Sequence, residues 1–261
     1  MKKPLLIACG VVVLIIAICV FLFSIDKLLY SKISCKFGSQ SHCSTINQAG
    51  NLHVLNSEFN EAEKLFKFTC NSDFYESCLN LGSLFVQTNN ISKAKEYFKK
   101  SCDGGVIEAC DDLSFVYMNE NNYKEAVPFL EISCENGFLQ SCDNLGLLYF
   151  NGGGVSKDTK KAIEFYTKSC KGGYYDSCAV LSLIFLSGKE VERNLPLALE
   201  FAKIACDGGV KEICPKIQDL QEAVDSTKLL DNLKSLDKEL CEEGDEEACD
   251  RLEYEKTRFG K

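Results

Sequence analysis

Fourteen of the sixteen cysteines fall into seven pairs of one spacing, eight positions apart: Cys35 and Cys43, Cys70 and Cys78, Cys102 and Cys110, Cys134 and Cys142, Cys170 and Cys178, Cys206 and Cys214, Cys241 and Cys249. Thiols so arranged can form disulfides, hold zinc, exchange electrons or be buried as free groups. Zinc takes four Cys or His ligands grouped at short spacings, but the chain has no C-x-x-C step and only two histidines, His42 and His53, so no metal site is expected. Redox catalysis normally shows that same missing C-x-x-C, and buried free cysteine has no need of strict pairing. Structural disulfides are the favoured reading. Eight residues of continuous helix rise roughly 12 Å, whereas a bridge needs Cα atoms about 4.4–6.8 Å apart. The chain must therefore reverse inside each pair. Gly104-Gly105, Gly137, Gly172-Gly173, Gly208-Gly209 and Gly244 stand two or three residues after a first cysteine, where a helix end commonly needs a positive φ. Each pair reads as a staple between the end of one helix and the start of the next. Disulfides at this density imply an oxidising compartment.

The elements that carry the pairs repeat with them. The second cysteines, from Cys43 to Cys249, are separated by steps of 35, 32, 32, 36, 36 and 35 residues, a period that belongs to solenoids. After a second cysteine, apolar residues recur three, six and mostly seven places on, as in Leu81, Leu84, Phe85 and Leu145, Leu148, Tyr149. That is one stripe of a 3.6-residue helix. Before the next first cysteine, an alanine stands eight places back (Ala62, Ala94, Ala126, Ala162, Ala198) with apolar residues such as Tyr97 and Phe98 five and four places back. This is the second helix of a hairpin. Gly82, Ser114, Gly146 and Ser182, four after the second cysteine, let the first helix approach its neighbour closely. Glycine at mid-helix otherwise costs about 1 kcal/mol. Pro196 suits a first helical turn, and Pro128 predicts a helix that starts late or bends.

A hydrophobic content of 46% suffices for a sizeable core, and a net charge of −9 with pI near 5.0 argues against nucleic acid or an anionic membrane surface as main partner. Residues 1–28 begin with Lys2 and Lys3 and continue through an uncharged run, Pro4–Phe23, long enough to cross a bilayer. They are expected to be a transmembrane anchor or a signal segment. The uncleaved anchor is preferred because no small-x-small cleavage site follows the run. Residues 29–42 read as linker and opening half-repeat, 43–213 as the regular repeats, and 214–261 as an irregular C-terminal repeat with a capping helix. In that last part Leu233 and Asp237 replace the expected alanine and apolar residue, and Gln218–Leu240 predicts one long helix.

First helices with the small residue after leucine, second helices with alanine and aromatics, steps near 36 residues and paired cysteines together resemble the Sel1-like repeats, relatives of the tetratricopeptide repeat. Cysteine where such repeats usually carry a small residue is similar to the Helicobacter cysteine-rich protein family. The resemblance covers about residues 35–260 and implies an all-α, right-handed αα superhelix with one local disulfide per repeat, placed outside the cytoplasm. It also implies either of two functions. One is capture of a peptide or protein in the concave groove of the superhelix, which first-helix positions two before and one, five, eight and nine after the second cysteine would line. Those include Glu76, Glu108, Asp176 and Glu212 as an acidic row, Ser83, Phe115, Leu147, Met118 and Phe150 as a mainly apolar floor, and Asn119 and Asn151 at its end. The acidic row has a second explanation, since carboxylates in a helix's first turn favour its positive end by about 0.3–1 kcal/mol each.

The other implied function is binding or hydrolysis of a β-lactam or cell-wall fragment, since members of the family bind penicillin-like compounds and many carry the name β-lactamase. Serine β-lactamases combine S-x-x-K with S-D-N and K-T-G. Here Ser92 with Lys95 and Ser235 with Lys238 fit the first element, but the other two are missing. Ser92 reads better as a helix N-cap. No catalytic residue and no cofactor are assigned, and a groove-binding module is the favoured reading.

Overall fold

The computed structural model describes residues 27–259, and side chains as far as residue 253. The uncharged run on which the anchor expectation rests lies outside the described residues. Among the described residues, thirteen helices and no strand are present, and no helix is long and apolar enough to cross a membrane. The chain divides into two compact units at Phe138 and Leu139.

The first unit holds α1 (27–36), α2 (Gln40–Leu55), α3 (Phe59–Cys70), α4 (Tyr75–Gln87), α5 (Ile91–Asp103), α6 (Ile107–Asn119) and α7 (Tyr123–Glu135). From α2 onward these pair as successive hairpins. Within a hairpin, the residue seven after the second cysteine meets the residue five before the next first cysteine. Phe85 stacks on Tyr97 at 5.6 Å, and Tyr117 on Phe129 at 6.0 Å. Offset ring pairs at such distances add about 0.5–1.5 kcal/mol beyond burial. Ala62, Ala94 and Ala126 are fully buried, because a larger side chain at the crossing would force the helices apart. The small residue predicted for close approach has that role: a Cβ on Gly82 would lie 2.5 Å from the buried Phe98 ring.

The second unit holds α8 (Leu139–Asn151), α9 (Thr159–Gly172), α10 (Tyr175–Ser187), α11 (Leu195–Asp207), α12 (Lys216–Glu242) and α13 (Glu246–Phe259). Its hairpins repeat the same contacts, with Tyr149 on Phe165 at 5.5 Å and Phe185 on Phe201 at 6.0 Å. Residues 211–215 are turn instead of helix, since Pro215 has no N–H to continue one. The 27-residue α12 begins immediately after it, two residues earlier than the sequence pattern suggests.

Six disulfides carry the staples: Cys35–Cys43, Cys70–Cys78, Cys102–Cys110, Cys170–Cys178, Cys206–Cys214 and Cys241–Cys249, with Cα atoms 4.8–5.1 Å apart. Cys134 and Cys142 are disulfide-bonded as well. In the glycine pairs the two residues have different tasks. Gly105 adopts φ +92°, whereas Gly104 has φ −80° and leaves room for the Tyr75 ring, which a Cβ there would meet at 2.2 Å.

Two local expectations need correction. Ser92 is not the cap of α5: Asn90 is, its side chain accepting from the Lys93 N–H at 3.4 Å, and Ser92 is the second helical residue. Asn89 at φ +58° reverses the chain just before the cap, and asparagine tolerates that region better than serine. Nor does α7 start late, for it runs from Tyr123 through Pro128 to Glu135.

Candidate functional site

At 100° per residue, positions five, eight and nine after a second cysteine lie opposite positions three and seven, which face the core. The same count puts the position two before the cysteine on the outward side. The side chains follow that geometry. In the first unit Phe115 is 56% and Val86 41% exposed, while Leu113 and Leu81 are fully buried. Glu76, Glu108, Ser83 and Asn119 are exposed and Met118 is half-buried. In the second unit Leu147, Leu183, Asn151 and Asp176 are exposed and Phe150 is half-buried. Glu212 departs from the set, standing in the 211–215 turn instead of on a helix.

Four of the first unit's predicted groove residues converge on one cavity. Ser83 and Val86 of α4 and Phe115 and Asn119 of α6 line a space of about 400 Å³, closed by Ile91 and Phe98 of α5 and by Asp112, Val116 and Glu120. The apolar walls combine Val86 and Phe115, left outside the hairpin core by the helical period, with the core side chains Phe98 and Val116. Glu76, Glu108 and Met118 are not among its lining residues.

Two carboxylates give the cavity its electrostatic character, and sequence reasoning missed both. Glu120 accepts from Lys95 Nζ at 2.7 Å and from Asn122 Nδ2 at 2.8 Å, and the Lys95 ammonium holds its carboxyl below the usual range. Lys95 also lies 5.3 Å from the Tyr117 ring centroid, so the lysine of the Ser92-x-x-Lys95 pattern is engaged by α6 and its following turn. Asp112 is the reverse case. Burial pushes its carboxyl up, and the neighbouring charges of Asp111 and Glu108 push it further the same way. All three influences act on Asp112 in the same direction. Burial likewise raises Asp143 in the second unit, but the Ser177 hydroxyl donates to it at 2.5 Å and opposes the rise. Asp112 stands two after its cysteine, at the edge of the outward arc, so a helical count extended by one position would have reached it.

The remaining chemical candidates are dispersed. His42 shares a hydrogen bond with Ser39 at 2.7 Å and His53 with Glu58 at 2.5 Å. Among the described residues no group of His, Cys, Asp and Glu is arranged to hold a metal ion. Ser235 is exposed on α12, and Lys238 lies 4.0 Å from Glu242.

The Sel1 repeat model matches residues 139–174 and 176–210, and a tetratricopeptide repeat model matches residues 75–103. Among solved structures the chain is similar to a Sel1 repeat protein from Oxalobacter formigenes, at 20% identity over 66% of this chain and 75% of that one, with TM-score 0.58. It is similar to a protective antigen of uropathogenic Escherichia coli displaying an SLR fold, at 21% identity over 87% of this chain and TM-score 0.62, and spans 51% of that protein's length. Helicobacter pylori cysteine rich protein B is 31% identical over 48% of this chain and 92% of its own, with TM-score 0.39. No curated protein matches the sequence.

Proposed function

The chain belongs to the Sel1-like repeat proteins, in the cysteine-rich group that includes the Helicobacter pylori protein, and from that premise we propose that it is an exported binding scaffold whose first unit captures a peptide or protein segment bearing an apolar side chain beside a lysine or arginine. The disulfides point to an oxidising, extracytoplasmic setting, and the run Pro4–Phe23 supplies either an anchor facing the periplasm or a removable signal.

The observation that carries the reading is Asp112. A carboxylate half-buried at the wall of an apolar cavity is raised by burial and by the charges of Asp111 and Glu108, so its ionised form costs the fold stability at neutral pH. A ligand cation placed there would offset it, with a charge-assisted hydrogen bond of about 1.5–3 kcal/mol. Phe115 and Val86 offer the apolar contact, and Ser83 and Asn119 can hydrogen-bond a ligand backbone, as groove binders commonly do.

An array of immobilised peptides probed with the oxidised chain tests this. Bound sequences are expected to pair a basic residue with an adjacent apolar one, and Phe115→Ala is expected to remove the signal. Enrichment of acidic peptides, or a pattern indifferent to Phe115→Ala, would sink the proposal.

A further inference from the structure

Helix α1 (27–36) has its faces reversed relative to a solvated surface helix. Ser31 and Cys35 point into the first unit and are buried, and Cys35 is bridged to Cys43. The opposite face, two residues out of phase, carries Leu29 at 53%, Ile33 at 49% and, in the turn that follows, Phe37 at 86% exposure. Leu28 is also exposed. Leu29 and Ile33, at positions i and i+4, share one face of α1, an apolar stripe that Phe37 follows in the turn at the helix's end. Lys32 and Lys36 border it, and lysines there can keep their ammonium groups in water while their stems cover apolar surface. Monomeric soluble proteins rarely leave such a contiguous apolar patch bare.

The sequence before α1 says what covers it. The uncharged stretch continues past Phe23 through Ser24 to Ile25, two positions from Lys27, and two residues reach at most about 7 Å. If the run spans a bilayer, α1 begins within that distance of the hydrocarbon boundary. We propose that α1 and Phe37 lie in the membrane interface, so that the first unit docks against the lipid surface through this stripe and is not tethered at a distance. The proposal rests on the anchor reading of Pro4–Phe23. The lipid is recognised by apolar insertion and not by headgroup charge, in keeping with the chain's net charge of −9.

The chain contains no tryptophan, so Phe37→Trp introduces a single probe at a site where a larger ring is free to fit. Full chain carrying it would be reconstituted into phosphatidylcholine vesicles and floated on a density gradient. Vesicles whose lipids are brominated near the headgroup would be compared with vesicles brominated deep in the acyl chains. The proposal expects flotation, blue-shifted emission, and loss of roughly half the emission or more with the shallow bromines, because interfacial helices bury their apolar face about 5–10 Å into the boundary. Leu55→Trp, exposed at the far end of α2, is expected to keep solvent-like, unquenched emission. A chain that floats with Phe37→Trp unquenched and solvent-like would overturn the docking while leaving the anchor intact. Blue-shifted emission insensitive to bromine would mean that protein covers the stripe. Equal quenching at Leu55→Trp would make the contact unspecific. A chain that fails to float would overturn anchor and docking together.

Discussion

Replacing Gly82 by alanine sets two effects of opposite sign against each other. On an exposed helix the change favours the fold by about 1 kcal/mol through backbone entropy. In this protein the new methyl would fall 2.5 Å from Cδ1 and 2.6 Å from Cε1 of Phe98, a ring that is itself 2% exposed and held in the first unit's core. Overpacking of a fixed core side chain costs about 1–3 kcal/mol, so the net expectation is a loss of about 0–2 kcal/mol. Urea unfolding of the oxidised chain, followed by circular dichroism, reads the difference. The same substitution in a Phe98→Leu background is expected to be neutral or stabilising, because the ring has gone, giving a coupling energy of about 1–3 kcal/mol. A Gly82→Ala variant more stable than its parent, with no coupling to Phe98, would refute the view that the small residue exists to let α4 and α5 approach.

Three further outcomes follow from the same geometry. Removing the third staple with Cys102→Ala and Cys110→Ala opens a nine-residue loop and is expected to lower stability by about 2.6 kcal/mol in the chain-entropy model, measured by urea unfolding; an unchanged midpoint would contradict it. Asn90→Ala is expected to cost about 0.5–2 kcal/mol as the loss of a cap, while Ser92→Ala changes stability by less than about 0.5 kcal/mol, which differential scanning calorimetry can separate. Asp112→Asn is expected to stabilise the chain at neutral pH. Because the folded carboxyl titrates above its unfolded value, its contribution is fully present below the unfolded range, near pH 3.8, and is lost as pH rises through the folded one. The advantage of the asparagine variant should therefore shrink as pH falls through the folded titration range and be gone near pH 3.8, and an advantage that grew on acidification would contradict the assignment.

Much of this was legible in the residues because the repeat is enforced by local chemistry. A cysteine every 32–36 residues marked where helices end and begin, the apolar period told which faces meet, and the resemblance to tetratricopeptide repeats placed Phe115, Val86 and Leu147 on the outward face, where they are exposed. What escaped depended on the start of a particular helix or on contacts between helices. Asn90 and Ser92 are both capping types two residues apart, and only the left-handed Asn89 decides between them. Pro215 turned the expected first helix around Cys214 into a turn and removed Glu212 from the helical series. Asp112 carries no signal of its own in the sequence, since its burial arises only in the folded unit, at a cavity that α4, α5 and α6 line together. The buried hydroxyls preceding the first cysteines were also overlooked. Ser101 donates to the Tyr75 carbonyl at 2.7 Å and Ser169 to the Leu139 carbonyl at 2.8 Å, locking each second helix to the start of its partner.

The claim that Asp112 and the apolar cavity beside it form a cation-selective binding site is tested most directly by a double-mutant cycle across the interface. A lysine-bearing peptide from the array and its norleucine counterpart would be titrated calorimetrically against the oxidised chain and against Asp112→Asn. The account predicts that the parent prefers lysine by about tenfold or more, the value of one charge-assisted hydrogen bond, and that the preference disappears in Asp112→Asn although that variant is the more stable protein. An unchanged lysine preference in Asp112→Asn would contradict it.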